Sequence, residues 1–205
     1  MSKHFVLDFD GTLFNTDVLW QWIINRFSQE GLEWDSIINE GEKLFAQAYT
    51  VERHARKMGL DDVLSQKISN EFDLVTDQES SALVYPDVIP FLEDFPIENK
   101  SILTFGEEVF QKAKIKAAKI DSRIGSIRIA GPEYQKTKHL KELLEIVEHP
   151  ILFIDDNPRE LLAAHEAGLP IELVRMRRPG ARHALNDHEM DSEVWRVISS
   201  LAELE

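Results

Sequence analysis

The sequence predicts an α/β protein: a doubly wound parallel sheet between layers of helices, with a small all-helical unit inserted near its start. Three observations predict it. Short apolar runs at Phe5-Val6-Leu7, Ser101-Ile102-Leu103-Thr104 and Ile151-Leu152-Phe153-Ile154 are too short for helices and lack the alternation of a half-exposed strand. Between them apolar residues recur every three and four positions, as on helices that cover a sheet. From Asn15 to about Tyr85 the helical period has no strand within it, and a stretch of that size cannot be a simple loop in a compact domain. The expected division is a core of residues 1–14 and 86–205 and a helical domain of residues 15–85.

The first strand ends in Asp8-Phe9-Asp10-Gly11-Thr12, two carboxylates at the tip of a buried segment. Burying a carboxylate is costly unless it is paired or bound to metal. Gly11 supplies the backbone freedom of a sharp exit. Val18, Leu19, Trp22, Ile23 and Phe27 then mark one helix, and Ile37, Ile38, Leu44, Phe45 and Ala48 a second. Thr50 suits the N-cap of a third helix stopped by Gly59, and Asp61 or Asp62 opens a fourth. Tyr85-Pro86 punctuates the return to the core, followed by a short helix over Val88 to Phe95. A strand then ends at Thr104, a helix runs from Glu107 to Lys119, and a strand from Ile124 to Ala130. Thr137 to Val147 reads as a helix, and the next strand ends at Asp155-Asp156, with Pro158 opening another helix. Ile171 to Met176 is the following strand. Asp191 or Ser192 is expected to cap a last amphipathic helix carrying Val194, Trp195, Ile198 and Leu201 inward.

Composition narrows the partners. The 205 residues are 43% hydrophobic and 29% charged, enough for a sizeable core. Lys and Arg number 23 against 37 Asp and Glu, a net charge of −14. Nucleic acid and anionic membrane would be repelled, whereas a small anion can still be held by a local positive site. Without cysteine there is no disulfide, thiolate metal site or cysteine nucleophile. The first strand starts too early for a signal peptide, and no run approaches the ~20 apolar residues of a membrane span. A cytoplasmic protein is expected, and the oligomeric state is left open.

In open parallel sheets, ligands bind beyond the carboxyl ends of the strands. That rule gathers Asp8, Asp10, Thr104, Asp155 and Asp156 at one edge. Two like charges 4 Å apart repel by about 4 kcal/mol at an effective dielectric of 20, so converging acids call for a cation. The donors are hard oxygens with no His or Cys among them, which suits Mg²⁺ rather than Zn²⁺. The seven histidines lie outside these motifs.

These residues resemble, in order, the four motifs of the haloacid dehalogenase superfamily, most of whose members are Mg²⁺-dependent phosphatases. Asp8 resembles the nucleophile, Asp10 the general acid/base, and Thr104 the hydroxyl that binds a phosphoryl oxygen. Phe105 falls at a substrate-facing position where many relatives carry Asn. Lys136 resembles the third-motif lysine, with Lys138 as the alternative. Ile154-Asp155-Asp156-Asn157-Pro158-Arg159-Glu160 resembles the double-Asp fourth motif. The resemblance implies a metal site of Asp8, Asp10, Asp156 and Asp155, with Asp156 the direct ligand and Asp155 a supporting one, and Glu160 acting through water. It also places a cap domain where residues 15–85 fall.

What the resemblance implies is hydrolysis of a small phosphorylated metabolite through an aspartyl-phosphate on Asp8. The alternatives are a phosphomutase or phosphotransferase on the same scaffold, or a non-catalytic binding protein. The dehalogenase branch attacks carbon and needs neither metal nor a second Asp, so Asp10 and the double Asp weigh against it. Two basic clusters stand apart from the motifs. Arg53, Arg56 and Lys57 are expected on a solvated helix face, with binding of an anionic leaving group as the alternative. Arg175, Arg177, Arg178 and Arg182 are expected as surface charge, with phosphate steering as the alternative.

Overall fold

A computed structural model of the chain describes residues 3–45, 47, 49–131, 136–181, 188, 190, 191 and 193–204. Six strands form one sheet: β1 (His4–Leu7), β2 (Lys100–Phe105), β3 (Ser126–Ala130), β4 (Ile151–Asp155), β5 (Glu172–Met176) and β6 (Arg196–Ile198). Their order is β3-β2-β1-β4-β5-β6, and every pairing is parallel. The first strand is thus central: Val6 pairs with Ser101 on one side and Phe153 on the other. The chain reverses its direction of progress between β1 and β4, which opens a crevice at their carboxyl ends.

Alternating side chains divide the core between the two faces of the sheet. Phe5, Leu7, Ile102, Ile154 and Val174 join one apolar cluster. Val6, Leu103, Phe153 and Leu173 join another, with Leu140, Leu143, Leu161 and Ala164. The latter four lie on α7 (Lys136–Ile146) and α8 (Pro158–Glu166), and the opposite face is covered by α5 (Val88–Asp94) and α6 (Glu108–Ala117). Asn157 caps α8 by accepting a bond from the Arg159 amide (3.1 Å), with Pro158 in its first turn.

Between β1 and α5 the chain forms α1 (Thr16–Ser28), α2 (Trp34–Phe45), α3 (Val51–Lys57) and α4 (Asp62–Glu79). Thr50 and Asp61 cap α3 and α4 as expected, and Gly59 follows α3 with φ +88°. The apolar faces of α1 and α4 meet through Ile23, Phe27, Ile68 and Phe72, in a cluster continuous with the α5–α6 face of the sheet. Arg56 pairs with Glu52 and Asp62 on the exposed side of α3. Among the described residues no helix is long and apolar enough to cross a membrane.

Two expectations near the end of the chain are corrected. There is no amphipathic helix over Val194 to Leu201: Arg196–Ile198 forms β6 and Leu201–Leu204 a single 3₁₀ turn. The edge of β5 offers a ladder for this β-branched segment, and Arg175 pairs with Val197. Trp195 and Ile198 then enter opposite apolar clusters. Asp191 caps no helix but accepts bonds from Arg175 (2.5 Å) and the Trp195 indole (2.8 Å), while Ser192 lies outside the described residues. Nor are two of the late arginines surface charge, since Arg175 and Arg178 are buried, while Arg177 is partly exposed. Arg178 donates to both oxygens of Asp87 and to the Thr12 carbonyl. Arg182 is outside the described residues.

Candidate active site

The turn after β1 is built by its own backbone. The amides of Leu13 and Phe14 bond to the Phe9 carbonyl, and Gly11 N–H reaches Phe14. Gly11 has φ +78°, and a β-carbon there would overlap Asp156 Oδ2. The glycine therefore permits both the turn and the close approach of β4's end. The Asp8 amide bonds to Ile154 O (2.8 Å), which locks the two strand ends together.

One carboxylate oxygen from each of Asp8, Asp155 and Asp156 lies within 4.8 Å of the others, and all three residues are buried. Lys136, at the start of α7, donates to Asp8 Oδ1 (2.6 Å) and Asp155 Oδ2 (2.7 Å). Lys138, two residues on, is exposed, so the lysine at the carboxylates is Lys136. Asp155 spends its other oxygen on the Asn157 amide (2.9 Å). Asp8 Oδ2 is buried without a partner, and Asp156 receives no hydrogen bond among the described residues.

Burial raises Asp8 to about 7, opposed by Lys136 and reinforced by Asp155. Asp156 is pushed well above the usual carboxylate range by burial and by the charges of Asp8 and Asp155. Burial also raises Asp155 and Glu160, and Glu160 Oε2 has no partner. Burial alone would lower the ammonium of Lys136, but Asp155 and Asp8 overcome it and hold the group charged. One ammonium thus faces several buried acids, which is why their protons are retained so firmly. A divalent cation fits what is left over. Orphaned carboxylate oxygens of Asp8 and Asp156 are hard donors, and a divalent charge among them would favour their ionised forms.

The Asp10 carboxylate lies outside this trio. Its oxygens are held by Lys114 (2.5 Å), Gln111 (2.9 Å) and the Thr16 hydroxyl. Burial would raise Asp10, but Lys114, Thr16 and Gln111 more than offset it and keep it ionised. Lys114 is itself buried, 5.4 Å from the Phe9 ring centroid and 5.0 Å from that of Phe110. Gln111 and Lys114 share one face of α6, three residues apart. Sequence reading passed over both because Lys and Gln on a helix look solvated. The available signal was their place beside Ile115, on the buried side.

Thr104, at the end of β2, is buried with an unpartnered hydroxyl. It lines the same cavity of about 400 Å³ as Asp8, Asp10, Lys136, Asp155 and Asp156. Phe105 lines it too, as do Glu160 and the exposed Arg159. From the helices between β1 and α5 the cavity receives Trp20, Ile23, Phe45, Tyr49 and Phe72, none of them singled out for the site in the sequence.

No family model and no curated protein matches the chain. Solved structures do. A Burkholderia xenovorans LB400 protein described as haloacid dehalogenase-like hydrolase superposes with a TM-score of 0.70 at 19% identity, over 98% of this chain and 93% of that one. An L-2-haloacid dehalogenase from Xanthobacter autotrophicus, with chloropropionic acid covalently bound, gives 0.66 at 15%, over 100% and 97%. A Lactobacillus plantarum protein described as a phosphoglycolate phosphatase gives 0.61 at 14%, over 100% and 98%. The chain has the haloacid dehalogenase fold, and that fold carries more than one chemistry.

Proposed function

We propose that this chain, built on the haloacid dehalogenase fold, is a Mg²⁺-dependent phosphatase of small phosphate monoesters. The observation that carries the reading is the buried trio Asp8, Asp155 and Asp156, with oxygens of Asp8 and Asp156 lacking a proton donor. Attack on carbon by a single carboxylate would leave the Asp156 carboxylate without a purpose. A phosphatase needs a cation at that point, because it must bring a dianion to a carboxylate.

Asp8 and Asp156 would hold Mg²⁺, with Asp155 fixing Lys136 beside them. When bound, the ion supplies positive charge that keeps Asp8 ionised and offsets charge on the phosphoryl oxygens. Asp8 attacks phosphorus, forming an aspartyl-phosphate as the bond to the ester oxygen breaks. Lys136 and the Thr104 hydroxyl face the phosphoryl oxygens, Lys136 by charge and Thr104 by its free donor. The departing alkoxide takes a proton from the Asp10–Lys114 pair. That pair recovers it from the water that cleaves the acyl phosphate. The helices of residues 15–85 act as a cap that shields these steps from bulk water.

The experiment is a phosphatase assay with Mg²⁺ or EDTA on wild type and Asp8→Asn, alongside thermal unfolding. Expected are EDTA-sensitive activity, a loss of about a thousandfold or more in the variant, and a fold that survives. Mg²⁺ should raise the unfolding temperature of wild type and do so much less for Asp156→Asn. EDTA-insensitive turnover, or full activity in Asp8→Asn, would refute the assignment.

A further inference from the structure

The cavity over Asp8 has two ends of unlike chemistry. Its floor is the polar strand edge. Its far wall, from α1, α2, α4 and the segment before α3, is largely apolar: Leu19, Trp20, Ile23, Phe45, Tyr49 and Phe72. The rings pack into a continuous surface, with Trp20 and Phe45 centroids 5.1 Å apart and Phe45 and Tyr49 also 5.1 Å. Phe72 lies 5.7 Å from Phe110, which extends the surface onto α6. Among the described residues, the charged side chains that these helices bring to the cavity are Asp17 and Glu42, both acids.

Among the described residues, two of the three cations that line the cavity are committed elsewhere. Lys136 is paired with Asp8 and Asp155, and Lys114 with Asp10. Arg159, the third, lines the cavity and is exposed. A carboxylate or second phosphate laid against these rings would exchange its water for apolar surface. An apolar group there removes its own surface and that of the rings from water.

Resting on the phosphatase reading above, we infer that the alcohol released is apolar and carries no negative charge, and that an aromatic ring suits the chamber. The phosphoryl group would sit at the strand edge and the ring against Trp20 and Phe110.

The test compares benzyl phosphate, 2-phosphoglycolate and glycerol phosphate, whose alcohols are similar in acidity, so that differences report the chamber and not the bond. Phosphocholine is the cationic control. Binding of benzylphosphonate against phosphonoacetate, measured by calorimetry with Mg²⁺ present, gives a readout independent of turnover. Expected is a preference of about tenfold or more in kcat/KM for benzyl phosphate over each of the others, with benzylphosphonate the tighter ligand. Trp20→Ala and, separately, Phe110→Ala should each cut that preference, so one poorly folding variant does not remove the test. Equal or better use of phosphoglycolate or glycerol phosphate would overturn the inference, as would a preference for phosphocholine or a ratio that neither variant changes. If no ester is hydrolysed, the phosphatase reading fails, and the phosphonate comparison alone decides the chamber.

Discussion

Lys136 and Lys138 stand two residues apart at the start of one helix and live in different worlds. The first is buried between Asp8 and Asp155; the second faces solvent. Removing one partner of a buried ion pair leaves charge with nothing to answer it, at a cost of about 3–5 kcal/mol. Lys136→Met should lose that much in urea unfolding, whereas Lys138→Met should stay within about 0.5 kcal/mol of wild type. The sequence pointed to this lysine by its spacing to the double Asp. Asp8, Thr104, Asp155 and Asp156 were legible for a physical reason: a polar residue closing an apolar strand has no structural motive. Gln111 and Lys114 were not, because a long polar side chain on a helix betrays its burial only through its neighbours. That omission hid the clamp on Asp10.

Among the elements, α3 carries a pH-sensitive joint. Its His54 is fully buried, stacked on Trp20, with Nδ1 2.9 Å from the Tyr49 hydroxyl. Burial pushes it down to about 4, against smaller opposing contributions from the Ile37 backbone and Glu40. Between the usual 6.5 and that value the unfolded chain binds a proton that the folded chain refuses. His54's contribution is thus intact above pH 6.5 and is lost as pH falls to about 4, at a cost of roughly 3 kcal/mol at most. Unfolding followed by tryptophan fluorescence from pH 7 to 4 should show this slope, and His54→Gln should flatten it. The long helices were readable from their period and caps. The short β6 was not, because Val194, Trp195, Ile198 and Leu201 also satisfy a helical spacing. What decided the matter was the free edge of β5, which no local pattern contains.

At the scale of the whole molecule, Arg178 ties distant parts of the chain together. Its guanidinium reaches the Thr12 carbonyl (3.0 Å), Asp87 (2.7 Å) and the Ser199 carbonyl (3.3 Å), and lies 4.4 Å from the Tyr85 ring centroid. The turn after β1, the return from the helices and the segment after β6 meet there. Arg178→Met strands the Asp87 carboxylate and should cost about 3–5 kcal/mol at neutral pH. Burial would raise Asp87, but Arg178, the Leu201 amide and the Ser200 hydroxyl hold it below the usual range. Its contribution is therefore present above about pH 4 and fades as the acid is protonated, so the deficit of the variant should narrow in acid. Charge repulsion is general in a chain of net charge −14, but this link is local.

The central place of β1 has a consequence for how the molecule comes into being. Phe5 must wait for Lys100 and Leu152 before it has a partner on either side. On the ribosome, the opening segment emerges long before its mates, and most of its contacts are remote in sequence. Such a topology folds slowly. The carboxylates of Asp8, Asp155 and Asp156 are brought together by the same late closure, so a truncated or half-made chain has neither a finished sheet nor that cluster.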